Sequence, residues 1–340
     1  MKTYIGIDLH STNCYFALVN EAGKRLYDKR IRNHRDEVLK VMQHLESYGE
    51  IEEVAIESTY NWYWLVDLLR EAGYPVVLAN PSRFQQYEGL KVSDDKSDAY
   101  YLAEMLRLEI LPKCWICPKK DRPVRDLLRG RMFLVEHRSS LKTSLSMLMA
   151  RYTGFRLTGE QILNLSQDQF MELGLQKESL IRVNQTLINI HSLERSIKTL
   201  ESEAQQQLKL SSAYQGLTSV PGIGKILALV IMLETGDVNR FKKSGNYTSY
   251  CRCVGSECTS NGKKKGTNNK KNGNRYLSWA YHEAAMGAKR WNEKANGYYQ
   301  RKLSRSNSIL ATRSLAAKLT KTCYYIIRDE EVFHEKLIFG

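Results

Sequence analysis

Within the first hundred residues, short β-forming apolar runs alternate with helical patterns. That alternation restricts the front of the chain to a mixed sheet with helices packed on it. Residues 4–9 are a compact apolar run, residues 14–19 follow after a polar turn, and residues 24–31 supply a third strand, so the three read as a β-meander. Apolar residues then fall at helical spacing at Val38, Val41, Met42 and Leu45, ahead of a strand at 54–57. A helix over 62–71 stopped by Gly73, a strand over 75–79 and a helix over 96–106 complete the series. The expected class is therefore α/β at the front.

The middle of the chain is helical. Residues 123–151 carry Leu127, Leu128, Leu134, Leu141, Leu145 and Leu148 among many basic side chains. A second long helix over 178–208 places Leu180, Val183, Leu187, Ile190, Leu193, Ile197 and Leu200 near heptad spacing, which fits a coiled coil or a helical hairpin. A helix packed on its own domain has the same signature. Exposed helices of this length are expected to serve dimerisation. No apolar run approaches the roughly 20 residues that a bilayer span needs, and Asp8 sits where the core of a signal peptide would continue. The expectation is a protein that stays inside the cell, away from membranes. Its seven cysteines are odd in number and scattered, so no disulfide framework is expected. Cys114 and Cys117 have zinc-ligand spacing, but Cys251, Cys253 and Cys258 lack the matching pair, and structural zinc is not expected.

Charge separates the last third from the rest. Residues 1–216 carry 29 basic and 28 acidic side chains, whereas residues 217–340 carry 22 and 9. A neutral front and a strongly basic back point to a polyanion bound by the back. The basic third opens with LTSVPGIG at 217–224, ahead of an apolar helix over 225–234. Gly222 and Gly224 in that turn expose backbone N–H groups able to bind phosphate without reading bases, in the manner of a helix-hairpin-helix; a turn merely shaped by two glycines has the same sequence. Between Cys258 and His282 lie Lys263, Lys264, Lys265, Lys270, Lys271 and Arg275 and no acid. With no hydrophobic period this stretch reads as a loop that phosphates would order. Helices resume over 275–290 and 310–327.

Carboxylates mark the front instead. Asp8 ends the first apolar run and Glu57 the fourth strand, while Asp95 and Asp98 stand three apart at the start of a helix and project from one face. If the two strands are neighbours and the helix crosses their ends, four carboxylates converge, and such a cluster calls for Mg²⁺ or Mn²⁺ held by hard oxygen ligands. Asp95 and Asp98 could equally favour the positive end of a helix dipole. Asp94 competes with Asp95, one helical turn before Asp98.

IGIDLH, AIEST, DDKSDAYYLAEML and VPGIG followed by LETGDVNRF occur in this order. Together they resemble the DEDD transposases of bacterial insertion sequences, the insertion sequence 110 family that includes the Piv invertases. The resemblance runs from the first strand to the final helix. It implies a RuvC-like domain of ribonuclease H fold over 1–118, a coiled-coil helical region over 119–212, and a mainly α transposase domain over 213–340. Asp8, Glu57, Asp95 and Asp98 fall on the family's four acidic positions, with DKSDA favouring Asp95 over Asp94. The family also uses a serine nucleophile, in a Ser-Ser-Gly-Gly run ahead of a KxGNxxLR-like segment. Here CTSNG at 258–262 and KNGNRYL at 271–277 correspond, and counting back from Gly273 and Asn274 aligns Ser260 with the second serine. Thr259 stands for the first serine and Asn261 for a glycine, which leaves Thr259 and Ser256 as lesser candidates. The resemblance further implies Mg²⁺-dependent strand exchange through a phosphoserine, a structured bridge RNA that pairs with donor and target DNA, dimers assembling into a tetramer, and a cytoplasmic, nucleoid-associated protein. The rival expectations are a RuvC-like junction nuclease using water, a non-catalytic nucleic-acid-binding protein, and an actin-like sugar kinase, which wants glycine at position 10, where His10 stands.

Overall fold

A computed structural model describes residues 1–80, 94–207, 211–255, 258–266 and 272–339. The chain forms two compact units, Met1–Lys119 and Lys120–Gly340. The second holds both the helical middle and the basic third. Among the described residues no helix is long and apolar enough to cross a membrane.

In the first unit, Lys2–Leu9 (β1), Asn13–Asn20 (β2) and Arg25–Arg32 (β3) form the antiparallel meander expected from the sequence. Arg35–Glu46 (α1), Glu50–Glu57 (β4), Tyr63–Glu71 (α2), Val76–Ala79 (β5), Asp95–Arg107 (α3) and the two-residue Lys113–Cys114 (β6) follow. The sheet order is β3-β2-β1-β4-β5-β6, with β4 parallel to both β1 and β5 and β6 antiparallel on the edge. Strand alternation decides which residues face which layer. Ile5, Ile7, Leu9, Phe16 and Leu18 pack with Val38, Met42, Leu65 and Leu69 from α1 and α2. Gly6 and Asp8 point the other way, to the face that α3 covers. There Ala17 and Val19 meet Ala99 and Ala103, and Ala55 meets Leu102. Gly6 is what lets α3 lie so low. A Cβ at that position would come within 2.0 Å of the Ala99 carbonyl oxygen and 2.6 Å of the Ala103 nitrogen.

The second unit begins with two long helices, Arg122–Thr153 (α4) and Lys177–Gln206 (α7), joined through Gly159–Leu163 (α5) and Gln167–Glu172 (α6). Gly154, at φ 76°, caps the end of α4. The heptad positions Val183, Ile190, Ile197 and Ala204 of α7 are all buried. They face α4 in the same chain, an antiparallel pairing tied by Arg131–Glu201 at 2.8 Å and Lys142–Glu194 at 3.2 Å. This is the helical-hairpin use of the heptad pattern. The far end of the hairpin has its own core, in which Leu145, Leu148 and Met149 meet Ile162, Phe170, Val183 and Ile190.

The basic third adds Ser212–Thr218 (α8), Lys225–Thr235 (α9), Ser244–Tyr250 (α10), Arg275–Trp291 (α11), Glu293–Leu303 (α12), Ser308–Asp329 (α13) and Glu335–Phe339 (α14). These pack around Leu229, Tyr247, Tyr281, Leu315 and Leu319. The hydroxyls of the buried Tyr247 and Tyr281 satisfy each other at 2.8 Å, and Thr235 meets Tyr247 at 2.7 Å. One sequence expectation is overturned here. The Lys-rich stretch after Cys258 is not loop throughout, since Cys258–Ser260 (β7) and Lys263–Gly266 (β8) pair as an antiparallel hairpin. Its two-residue turn is Asn261 (φ 54°) and Gly262 (φ 72°), the left-handed pair that a tight hairpin demands. Lys270 and Lys271 lie outside the described residues, as does the minor candidate Ser256.

Candidate metal centre and serine hairpin

Adjacent parallel strands bring the first two carboxylates together. Ile7 is level with Ile56 across β1 and β4, so Asp8 and Glu57 are the next pair, both on the α3 face. Asp8 is 3% exposed and is hydrogen-bonded to Glu57. The third and fourth come from the first turn of α3, where Asp98 and Asp95 both act electrostatically on Asp8. Asp94 does not join them. Its side chain caps the helix, accepting from the Ser97 backbone N–H at 2.8 Å.

His10 was not among the sequence candidates. Its Nε2 lies 3.0 Å from Asp8 Oδ2 and 3.1 Å from Asp95 Oδ1, bridging the strand carboxylate to the helix carboxylate. The loop that carries it is pinned, because Asn33 and Asn61 both donate their side-chain amides to the His10 carbonyl at 2.9 Å. Asp8, His10 and Asp95 offer ligand atoms within 4.8 Å of one another. The only sequence signal was its position two residues after Asp8 in IDLH.

The electrostatics of the cluster are unfavourable as it stands. Burial, then the Asp8 charge and the hydrogen bond that a protonated Glu57 donates to Asp8, push Glu57 up to about 7. Burial also raises Asp8, opposed by His10 and reinforced by Asp98 and Asp95. Near neutral pH the pair therefore holds a proton that two ordinary carboxylates would have lost. A divalent cation relieves the same repulsion. The donor set of four carboxylates suits Mg²⁺ or Mn²⁺, and the imidazole of His10 adds a nitrogen that Mn²⁺ accepts more readily. These residues fit a divalent metal.

A stability prediction follows for the metal-free protein. Both pKa values are raised in the folded state, so the contribution is fully present below the ordinary carboxylate range and is lost as pH rises through about 7. After discounting for solvent screening, the loss is on the order of 1–2 kcal/mol. Thermal melts in chelator between pH 4 and 8 should show wild type losing stability relative to Glu57→Gln, with the gap opening from about pH 5 and levelling off above about pH 7. Parallel curves would discard the shared proton.

The remaining candidates lie in the second unit. Ser260 is the exposed last residue of β7, immediately before the Asn261-Gly262 turn, and Lys263 pairs with it across the hairpin. Lys263 and Lys265 are exposed on β8, which also carries Lys264. Arg275 is the first residue of α11, its guanidinium 4.9 Å from the Tyr276 ring centre. Arg252, another residue that the sequence reading passed over, has its pKa lowered by burial and by the charge of Arg275. Gly222 has a steric job. At φ +84° its turn presses on α11, where a Cβ would meet the Ala284 oxygen at 2.1 Å. Gly224 stands in open space as the N-cap of α9. The carboxylates and Ser260 thus belong to different units of one chain.

Two family models match the chain in order. Residues 5–153 match DEDD_Tnp_IS110, described as a transposase, and residues 214–300 match the transposase IS116/IS110/IS902 family. Among similar proteins, the putative transposase y4qE of Sinorhizobium fredii is 21% identical over 75% of this chain and 64% of its own length. The probable family 20 transposase of Pseudomonas aeruginosa is 24% identical, covering 66% of this chain and 67% of the relative. The transposase for insertion sequence element IS1111A of Coxiella burnetii is 22% identical, covering 76% and 70%. The chain therefore spans about two thirds of the length of these relatives. The first match contains all four carboxylates and the second contains Ser260, and the two together cover more than two thirds of the chain. With its paired strand carboxylates, its capped acidic helix and both matches in this order, the chain belongs to the IS110 family of transposases.

Proposed function

We propose that the chain cuts and rejoins DNA strands through a serine-linked intermediate. Asp8, Glu57, Asp95 and Asp98 hold Mg²⁺ or Mn²⁺, and Ser260 is the nucleophile. The observation that carries this reading is the convergence of four carboxylates, two from adjacent strands and two from one helix turn, with a proton shared where a cation would relieve the charge. A bound divalent cation supplies Lewis acidity to the scissile phosphate and stabilises charge on the departing oxygen.

The protein's own groups do the rest. Ser260 stands at a tight two-residue turn, exposed and opposite Lys263, in a lysine-rich hairpin that draws in the phosphodiester. Its Oγ–H loses a proton as an Oγ–P bond forms. The P–O bond to the leaving strand breaks, and the leaving oxygen takes up a proton. The serine ester keeps the phosphorus activated, so a second strand's hydroxyl can displace Ser260 and rejoin the DNA. Gly224, Lys263, Lys264, Lys265, Lys270, Lys271 and Arg275 are proposed to contact the backbone of donor and target DNA and of a structured guide RNA encoded by the element. The basic excess of residues 217–340 supports that partner. Ile181 and Ile188, exposed seven residues apart on α7, support assembly of dimers, and of a tetramer, through the α4–α7 hairpin.

Purified protein incubated with Mg²⁺, its DNA and element-derived RNA should yield a covalent protein–DNA adduct. Peptide mapping should place the linkage at Ser260. Ser260→Ala and chelator should each remove the adduct. Cleavage without any adduct in wild type would instead mean a nuclease that uses water, and an adduct persisting in Ser260→Ala would move the nucleophile elsewhere.

A further inference from the structure

The segment that carries Ser260 is closed at its base by an unusual set of contacts. Arg252, itself in the left-handed region at φ 55°, donates from Nε and Nη2 to the Gly273 carbonyl at 3.1 and 2.8 Å. The Asn274 backbone N–H donates to the Tyr250 carbonyl at 2.6 Å. Gly273, at φ +94°, lies so close to that carbonyl that a Cβ would stand 2.3 Å from it. The two ends of a segment of some twenty residues, with the β7–β8 hairpin between them, are thus held side by side.

That base is in turn fastened to the long helix. Asn274 uses its side-chain oxygen to cap α11, accepting from Tyr276 and Leu277 N–H, and its Nδ2 to donate to Glu234 Oε2 at 2.8 Å. Glu234, near the end of α9, is 3% exposed. Arg129 of α4 binds both of its oxygens, Nε to Oε1 at 2.6 Å and Nη2 to Oε2 at 2.9 Å. The Arg129 guanidinium also lies 4.4 Å from the centre of the Tyr276 ring. Leu128, Met132, Val230 and Trp279 close around the array and leave no cavity for a water-sized ligand.

An ion pair that buries a carboxylate, as this one buries Glu234 against a half-buried Arg129, is a poor device for stability alone, since apolar residues of similar size commonly serve as well or better. What it does provide is direction. A bidentate guanidinium–carboxylate pair fixes the angle between its two helices, and the second hydrogen bond passes that angle to the residue that starts α11 and ends the serine segment. Arg129 lies within the family match over residues 5–153, and Glu234 and Asn274 lie within the match over 214–300. The array joins the helix belonging to the first match to the serine segment belonging to the second.

We propose that Arg129, Glu234 and Asn274 are positioning residues that set the Ser260 hairpin relative to α4, so that a disturbance of α4 reaches the serine. The functional half of the inference rests on Ser260 being the nucleophile; the structural half does not. The test replaces both charges, in Arg129→Met/Glu234→Met, and reads hydrogen exchange by mass spectrometry alongside adduct formation. The expected result is a melting temperature within a few degrees of wild type, at least tenfold faster exchange confined to amides 258–266, and at least tenfold slower adduct formation. Glu234→Gln keeps an acceptor for Asn274 and Arg129, and should show the same two changes at a reduced, roughly threefold size. It also serves as the working variant should the double replacement not fold. Unchanged exchange at 258–266 in a folded variant, or faster exchange spread evenly over the whole second unit, would overturn the proposal. Failure of the nucleophile reading looks different: Ser260→Ala retains the adduct while the exchange result still stands.

Discussion

On the proposed function, Asp8→Asn should lower metal-dependent strand cleavage by a factor of about 10³ or more and at the same time make the metal-free protein more stable. The first effect follows from geometry. Asp8 is the carboxylate that touches the others, bonded to Glu57, bridged to Asp95 through His10 and within the field of Asp98. If the cluster holds the cation as proposed, losing this charge removes its central ligand, and metal stabilisation of a phosphoryl transition state amounts to several kcal/mol, each 1.4 kcal/mol being a factor of ten. The second effect follows from burial. Asp8 is 3% exposed and its charged form is disfavoured where it stands. Asparagine keeps the shape, donates to Glu57 and carries no charge to desolvate. A gain of about 1 kcal/mol is expected, seen as a rise of a few degrees in melting temperature in chelator at pH 8. In excess Mn²⁺ the order should reverse, because wild type gains binding energy that the variant lacks. A variant that cleaves normally, or that melts lower than wild type in chelator, would remove Asp8 from the centre of this site.

Why the carboxylates were readable and the serine hairpin was not is a matter of pattern. The strands at the front alternate faces, so IGIDL announces both a buried run and the side from which Asp8 emerges. The parallel neighbour ending at Glu57 needed only a helix between to be inferred, and Ile7 does stand level with Ile56. Asp94 and Asp95 could not be separated by spacing alone, since what divides them is a cap: one accepts from Ser97, the other faces His10. In the hairpin, residues 259–263, 265 and 266 are all exposed, which gives no alternating signature, so its lysines read as loop. Its signal was local and was there in Asn261-Gly262, where two left-handed residues in succession fit a tight turn and little else. Helix α12 escaped for a related reason, since it buries little more than Ala295 and Tyr299 along a polar stretch. Glu234 looked like the end of an apolar helix, and nothing in one dimension tells that Arg129, 105 residues earlier, grips it.

The placement of the acidic helix yields the remaining large effect. In α3 the backbone at Ala99 and Ala103 rests on Gly6 of β1, and the first turn of the same helix carries Asp95 and Asp98. Gly6→Ala puts a methyl 2.0 Å from one backbone atom and 2.6 Å from another. No side chain can rotate away to make room, so the helix itself must lift. Overpacking of this kind costs about 1–3 kcal/mol when side chains give way, and a contact with backbone on both sides belongs at or above the upper end. The expected loss is about 3 kcal/mol. Because the lift carries Asp95 and Asp98 off Asp8, Mn²⁺ affinity measured by calorimetry should fall at least tenfold in whatever fraction remains folded. Gly130→Ala is the matched control. It lies inside α4, where the nearest atom to a new Cβ is a Leu200 methyl at 3.9 Å, an ordinary contact. There the same methyl should raise stability by about 0.5–1 kcal/mol through helix propensity alone, and leave metal binding untouched. One substitution with two signs, set by whether a helix backbone sits on the glycine, separates the close approach from any general property of replacing glycine. Metal affinity preserved in a folded Gly6→Ala protein would show that the position of α3 does not set the site.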